Sequence, residues 1–166
     1  MLENQFGYDR YPGICPIIPN AGVCALAMLY GKGDFNRTVE IAVMCGWDTD
    51  CNAGNVGTVL GVFAGLEGIR DNYRAPINDG IVLSGVSGYL NILDIPSYVK
   101  ELVLLGCKAN GTSPPQNLQN SFAEGEIRCD FELPGSTHNF WVRNAGAPLQ
   151  LVNTGETSAV GGRSLQ

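Results

Sequence analysis

Gly54, Gly57, Gly61 and Gly65 recur at spacings of three, four and four in "NAGNVGTVLGVFAGL". That period places them on one face of a helix. A glycine inside a helix costs up to about 1 kcal/mol relative to alanine. Four on one stripe therefore predict a compensating contact, in which a neighbouring helix or loop lies close against the backbone. Val56, Leu60 and Phe63 stand between the glycines and give the same helix its apolar side chains. The helix is expected to follow Asp50 and to run to about Gly68.

Two more helices precede it. Pro12, Pro16 and Pro19 hold their preceding residues out of the helical region, so residues 1–19 read as irregular and extended. Asn20 is the expected N-cap of "AGVCALAMLY", which Gly31 and Gly33 stop. This helix is apolar nearly all round and is predicted to be buried. Asp34 is placed to cap "FNRTVEIAVMC", with Phe35, Val39, Ala42 and Val43 on one face. Further on, Asp94 and Pro96 open "IPSYVKELVLLGC", with Ile95, Val99, Leu102 and Val103 at helical spacing.

The pattern then changes. Residues 109–121 have a linker's Ser, Pro, Asn and Gly content. "EIRCDFEL" alternates, with Ile127, Cys129, Phe131 and Leu133 on one face and Arg128, Asp130 and Glu132 on a solvated one. "FWV", "PLQLV" and "GRSLQ" read as further short strands. The expected architecture is mainly α. It has an all-helical part over 1–108, a linker over 109–121 and an incomplete β domain over 122–166. So few short strands make a poor sheet alone, so the β part is expected to be cut short.

Of the 166 residues, 45% are hydrophobic and 16% charged, enough apolar content for a core. The net charge of −6 and the lack of any Lys/Arg cluster argue against nucleic-acid and anionic-membrane partners. No apolar run approaches the roughly 18 residues of a membrane span. The six cysteines include no CxxC pair, and His138 is the one histidine, so a structural zinc site is not expected. Buried thiols and no secretory signal point to a reducing, cytoplasmic setting. His138, in the polar turn "PGSTHN", reads as solvated.

The chemistry concentrates in "GWDTDCNAG", where Asp48 and Asp50 stand two positions apart at a helix start. Helix capping explains one aspartate. An EF-hand is excluded, because Ala53 and Val59 occupy the positions of its glycine and its bidentate glutamate. The Asp-x-Asp of phosphoryl-transfer enzymes follows a strand, whereas a helix precedes Asp48. A hard divalent cation suits paired carboxylates, given further ligands from elsewhere. Trp47 is a candidate stacking surface as well as a candidate core residue.

"IAVMCGWDTDCNAGNVGTVLGVFAGLEGI", preceded by "PNAGVCALAMLYGKGDF", resembles the ADP-ribosylglycohydrolases over about residues 15–108. The resemblance implies a partial all-helical bundle that hydrolyses ADP-ribosyl or related ribosyl N- or O-glycosidic bonds with two Mg²⁺ or Mn²⁺ ions. Its substrate would be an ADP-ribosylated protein or an ADP-ribose-like small molecule. Matched to the family's Asp-x-Asp-hydroxyl motif, Asp48 and Asp50 become metal ligands and catalytic carboxylates, and Cys51 takes the hydroxyl residue's place. Trp47 and Asn52 become substrate-binding candidates. A thiol is a poor ligand for a hard cation, so Cys51 is a departure. The family's upstream threonine-and-aspartate cluster has no counterpart here. The chain is thus expected to be the C-terminal part of the catalytic domain, inactive alone, followed by a sandwich-like segment with a glycan as candidate ligand. The competing expectation is a non-catalytic binding or structural relative.

Overall fold

The computed structural model describes residues 2–86, 92–119, 129–143, 146, 150–158 and 161–166. The chain forms two compact units, Met1–Tyr73 and Arg74–Gln166, and the division falls ahead of the linker-like 109–121 segment.

The first unit is helical: α1 (Leu2–Phe6), α2 (Ile17–Gly31), α3 (Phe35–Met44) and α4 (Thr49–Ala64), then a 3₁₀ turn (Leu66–Gly68). The short helix α5 (Asp71–Arg74) spans the division. α2 begins four residues earlier than the sequence predicts. Pro16 occupies its N-cap, and Pro19 lies in the first turn, where helix N–H groups lack intrahelical partners and proline is tolerated. Asn20 is therefore not a cap, and its side chain is free for other work. Asp34 does cap α3 as expected, accepting from the Arg37 N–H at 2.7 Å.

α3 packs against both α2 and α4. The core is small: Val23 and Ala27 of α2, Ala42 of α3 and Val56 of α4. Cys24, Val39, Ile41, Cys45 and Trp47 pack around it. α2 is not buried all round. Pro19, Val23, Ala27 and Gly31 form its buried stripe, while Leu29 and Tyr30 are exposed. On α4, Val62 and Phe63 are 86% and 76% exposed.

The glycine stripe also behaves differently from its prediction. A Cβ at Gly57 or Gly61 would meet Phe35 at ordinary contact distance, 3.8 and 3.7 Å. One at Gly54 would meet open space. Gly65 is the C-cap, at φ 67°. The close approach lies at Gly31 instead. A Cβ there would collide with the Thr38 hydroxyl and come within 3.0 Å of the Thr38 Cα. Thr38 is fully buried, and its hydroxyl donates to the Asp34 carbonyl at 2.7 Å, so it cannot yield.

In the second unit, β1 (Gly80–Val82) pairs antiparallel with β2 (Ile92–Asp94), in the register Gly80↔Asp94, Ile81↔Leu93 and Val82↔Ile92. Helix α6 (Ile95–Ala109) follows, capped by Asp94, which accepts from the Ser97 N–H at 3.0 Å. A short turn α7 (Gln116–Gln119) and an antiparallel pair, β3 (Asn153–Thr154) with β4 (Ser164–Leu165), complete it. Among the described residues the sheets are these two pairs, and "FWV" is not a strand. Part of "EIRCDFEL" lies outside the described residues, and Cys129–Leu133 is irregular. The reason is local. Asp130 accepts from the N–H of Glu132 at 3.3 Å, an Asx-type turn that competes with a strand ladder, and Phe131 sits at φ 56°.

The acidic face of that segment is not simply solvated. Lys100 of α6 donates to Asp130 at 2.5 Å, and the pair is mostly buried. Burial pushes the Asp130 carboxyl up, but the hydrogen bonds from Lys100 and the Glu132 amide outweigh it and hold the group below the usual carboxylate range. His138 is buried rather than solvated. Its Nδ1 lies 2.8 Å from Asp94, off the axis of a hydrogen bond, and its Nε2 lies 3.7 Å from Asp130. The Phe131 ring meets the imidazole edge-on at 5.2 Å. Among the described residues no helix is long and apolar enough to cross a membrane.

Two outcomes are expected. Gly31→Ala destabilises the protein by about 1–3 kcal/mol through overpacking, whereas Gly54→Ala stabilises it by up to about 1 kcal/mol; thermal unfolding of the two variants should shift in opposite directions. Because the Asp130 carboxyl is depressed on folding, its contribution is present above the ordinary carboxylate pKa of about 3.9 and is lost as pH falls through the folded value. In chemical denaturation at neutral pH, Lys100→Ala costs roughly 1–3 kcal/mol by leaving Asp130 without its partner. That loss should shrink as Asp130 protonates.

Candidate metal and substrate site

Gly46 at φ 71° ends the α3 segment, and the chain turns back through Trp47 into α4. Asp48 holds the N-cap position of α4 with φ 41° and ψ 59°, a left-handed conformation that non-glycine residues seldom adopt. Its carboxylate makes no capping hydrogen bond. Instead it accepts from the Asn20 side-chain amide of α2. The Tyr8 hydroxyl donates to the Asn20 Oδ1 at 2.6 Å, so a relay runs from Tyr8 through Asn20 to Asp48. Pro16 starts α2 early, and that start places Asn20 on the helix surface in reach of Asp48.

Asp50 lies in the first turn of α4 and is exposed. Cys15, in the segment before α2, also reaches this point. The Cys15 and Cys51 sulfurs and an Asp48 oxygen lie within 4.8 Å of one another. The electrostatics follow from this crowding. Partial desolvation pushes the Asp48 carboxyl up, but hydrogen bonding with Cys51, Cys15, Asp50 and Asn20 holds it below its ordinary value. The same carboxylate pushes the Cys51 thiol up to about 11, first by accepting its hydrogen bond and then by charge. It raises the Cys15 thiol in the same way. Tyr8 is raised by desolvation first and the Asp48 charge second.

Trp47 stacks on Tyr8 with ring centroids 5.2 Å apart and planes 28° from parallel. Both line an open cleft of about 540 Å³ with Asn4, Gly7, Asp9 and Arg10. Asn52 is fully buried. Its amide donates to the Trp47 carbonyl at 2.6 Å, and its Oδ1 accepts from the Cys24 thiol at 3.6 Å. Asn52 thus has no surface to offer a ligand, and it acts by fixing the Trp47–Asp48 turn. Asp48, Asp50 and Cys51 are brought together. Trp47 faces the neighbouring cleft, and Asn52 points away from it into the core. Tyr8 and Cys15 are additions that sequence reasoning missed, and Asn20, which it read as a helix cap, joins them; each lies 28 or more positions from Asp48, and no local pattern connects them to it.

These donors can be weighed against a hard cation. Two carboxylates fit Mg²⁺ or Mn²⁺ with water completing the shell, while the two thiols do not.

A helical unit with paired aspartates at a helix start and an aromatic-walled cleft beside them fits the glycohydrolases as a class. The family model for ADP-ribosylglycohydrolase matches residues 2–104, more than half of the chain, and the chain belongs to that family. No significant match to a curated protein or to a solved structure was found.

Removal of the Asn20 amide tests the relay. Asn20→Ala takes away one of the hydrogen bonds that stabilise the Asp48 carboxylate, so the Asp48 pKa should rise. Carboxyl-carbon NMR titration reads this directly, and an unchanged pKa would show that the contact does not act on Asp48.

Proposed function

We propose that this chain carries the Asp48–Asp50 half of an active site for metal-dependent hydrolysis of ADP-ribosyl, or related ribosyl, glycosidic bonds. The observation that carries the reading is the Asp48 carboxylate. It occupies a cap position, caps nothing, and is held beside Asp50 by an amide from another helix. The family match supports the reaction class.

Asp48 and Asp50 would hold Mg²⁺ or Mn²⁺, which when bound supplies positive charge to orient ribose hydroxyls and a water. The chain's own groups do the rest. Trp47, braced by Tyr8, offers a flat apolar face to adenine or ribose. Arg10 in the same cleft has the fork geometry that recognises a diphosphate. Asn20 fixes the direction of the Asp48 oxygen. A carboxylate oxygen of Asp48 or Asp50 that is not bound to the ion would accept the proton of the attacking water as the glycosidic bond opens through an oxocarbenium-like state.

The exposed apolar side chains on α2 and α4, among them Leu29, Val62 and Phe63, support packing of a further helical segment there. Such a segment would supply the remaining ligands, so the chain alone is read as inactive. The part from residue 122 is read as an accessory β segment with a glycan as its candidate ligand. A cytoplasmic setting is consistent with six free cysteines. The second reading, a non-catalytic relative, is favoured by one observation, the thiol of Cys51 in the hydroxyl position.

Binding separates the two readings. In a Trp141→Phe background, Trp47 fluorescence should report ADP-ribose binding that strengthens when Mn²⁺ is added. Asp48→Asn and Asp50→Asn should each weaken the Mn²⁺-dependent part at least about 10-fold, about 1.4 kcal/mol. Binding that ignores Mn²⁺ and both substitutions, or no binding at all, would favour the non-catalytic reading.

A further inference from the structure

The two thiols beside Asp48 are foreign to a magnesium site. Cys15 comes from the segment before α2 and Cys51 from the first turn of α4, yet their sulfurs and an Asp48 oxygen lie within 4.8 Å of one another. Two sulfurs and one carboxylate oxygen, all mutually close, can supply three of the four ligands of a tetrahedral Zn²⁺ site, with the fourth position left for water. Both sulfurs are accessible from solvent, so an ion has an entry path. Thiolates select thiophilic ions over Mg²⁺ and Mn²⁺.

We propose that Cys15, Asp48 and Cys51 form a binding site for a thiophilic divalent cation of the Zn²⁺ class. The site shares Asp48 with the hydrolase reading above but does not depend on hydrolysis. Binding breaks two S–H bonds, forms two metal–sulfur bonds and releases two protons to solvent. The Asp48 carboxylate is deprotonated already and contributes its oxygen directly. Because each thiol gives up a proton to the solvent when it binds the ion, affinity climbs with pH. The consequence for function is competition. An ion held by the two sulfurs takes Asp48 away from the hard cation that it would otherwise share with Asp50, and Zn²⁺ then acts as an inhibitor at the point of metal loading.

Cobalt is the probe. The reduced full chain loaded with Co²⁺ should show thiolate-to-cobalt charge-transfer absorption in the near ultraviolet and the strong visible bands of tetrahedral cobalt, and Zn²⁺ should bleach both. Cys15→Ser and Cys51→Ser should each diminish the charge-transfer band, the double variant should lose it, and Cys107→Ser should keep it. Circular dichroism establishes that each variant is folded. Absence of the band in the wild-type chain, or its persistence in the folded double variant, overturns the proposal. Mn²⁺ affinity of the double variant is read separately. Retained Mn²⁺ binding with no cobalt band in the wild type removes the thiol site and leaves the hydrolase reading standing. A cobalt band that depends on both cysteines, without Mn²⁺ binding, upholds the thiol site and removes the other.

Discussion

The site depends on one buried amide. Asn52 has no exposed surface, so both ends of its side chain must find partners inside the protein. Its NH₂ reaches the Trp47 carbonyl and its oxygen takes the Cys24 thiol of α2, while its backbone N–H closes the first turn of α4 onto the Asp48 carbonyl. Three constraints meet in one residue. They set the turn between α3 and α4, hold Asp48 in a left-handed conformation, and tie α4 to α2. A residue proposed from sequence to touch substrate is instead the pin that positions two that can.

From that pin the geometry spreads outward. The core of Val23, Ala27, Ala42 and Val56 is small, and all four are valine or alanine positions where helices come near one another. The contact of Gly31 with Thr38 brings α2 and α3 into register. With α2 fixed at its C-terminal end by that contact and at its middle by Cys24, Asn20 stands opposite Asp48 and Cys15 stands opposite Cys51. Tyr8 and Trp47 then form a wall beside the carboxylates rather than a lid over them. Packing therefore determines the chemistry available at the site, because none of the groups meeting Asp48 from α2 or from before it is near it in sequence.

Much of the helical framework was legible. Asp34 and Asp94 read as caps and are caps, because aspartate ahead of an apolar 3.6 period leaves little else for the side chain to do. The Asp-x-Asp motif and its helix start were likewise visible, as was the family. Other features were not. The prolines before α2 read as breakers, yet proline is tolerated in a first turn, and this freed Asn20 from capping. The glycine stripe marks a face in ordinary contact with Phe35, and the crowded glycine is Gly31, whose neighbour Thr38 lies on the next helix. His138 looked polar from its neighbours. Its burial comes from Asp94 and Asp130, residues remote in sequence that a local window does not contain. The alternation of the 126–132 segment is overridden, within its described residues from Cys129 on, by a side-chain turn at Asp130.

On the proposed reading, Asp48 and Asp50 hold a divalent cation where Asn20 and the Trp47 turn direct them. Paramagnetic broadening by Mn²⁺ locates such an ion without need of turnover. In a two-dimensional amide NMR spectrum, substoichiometric Mn²⁺ should bleach the signals of residues 48–52 and Asn20 first, and those at the far end of α4, around Phe63, only later. Broadening centred elsewhere, or spread evenly over the acidic surface, would contradict the account.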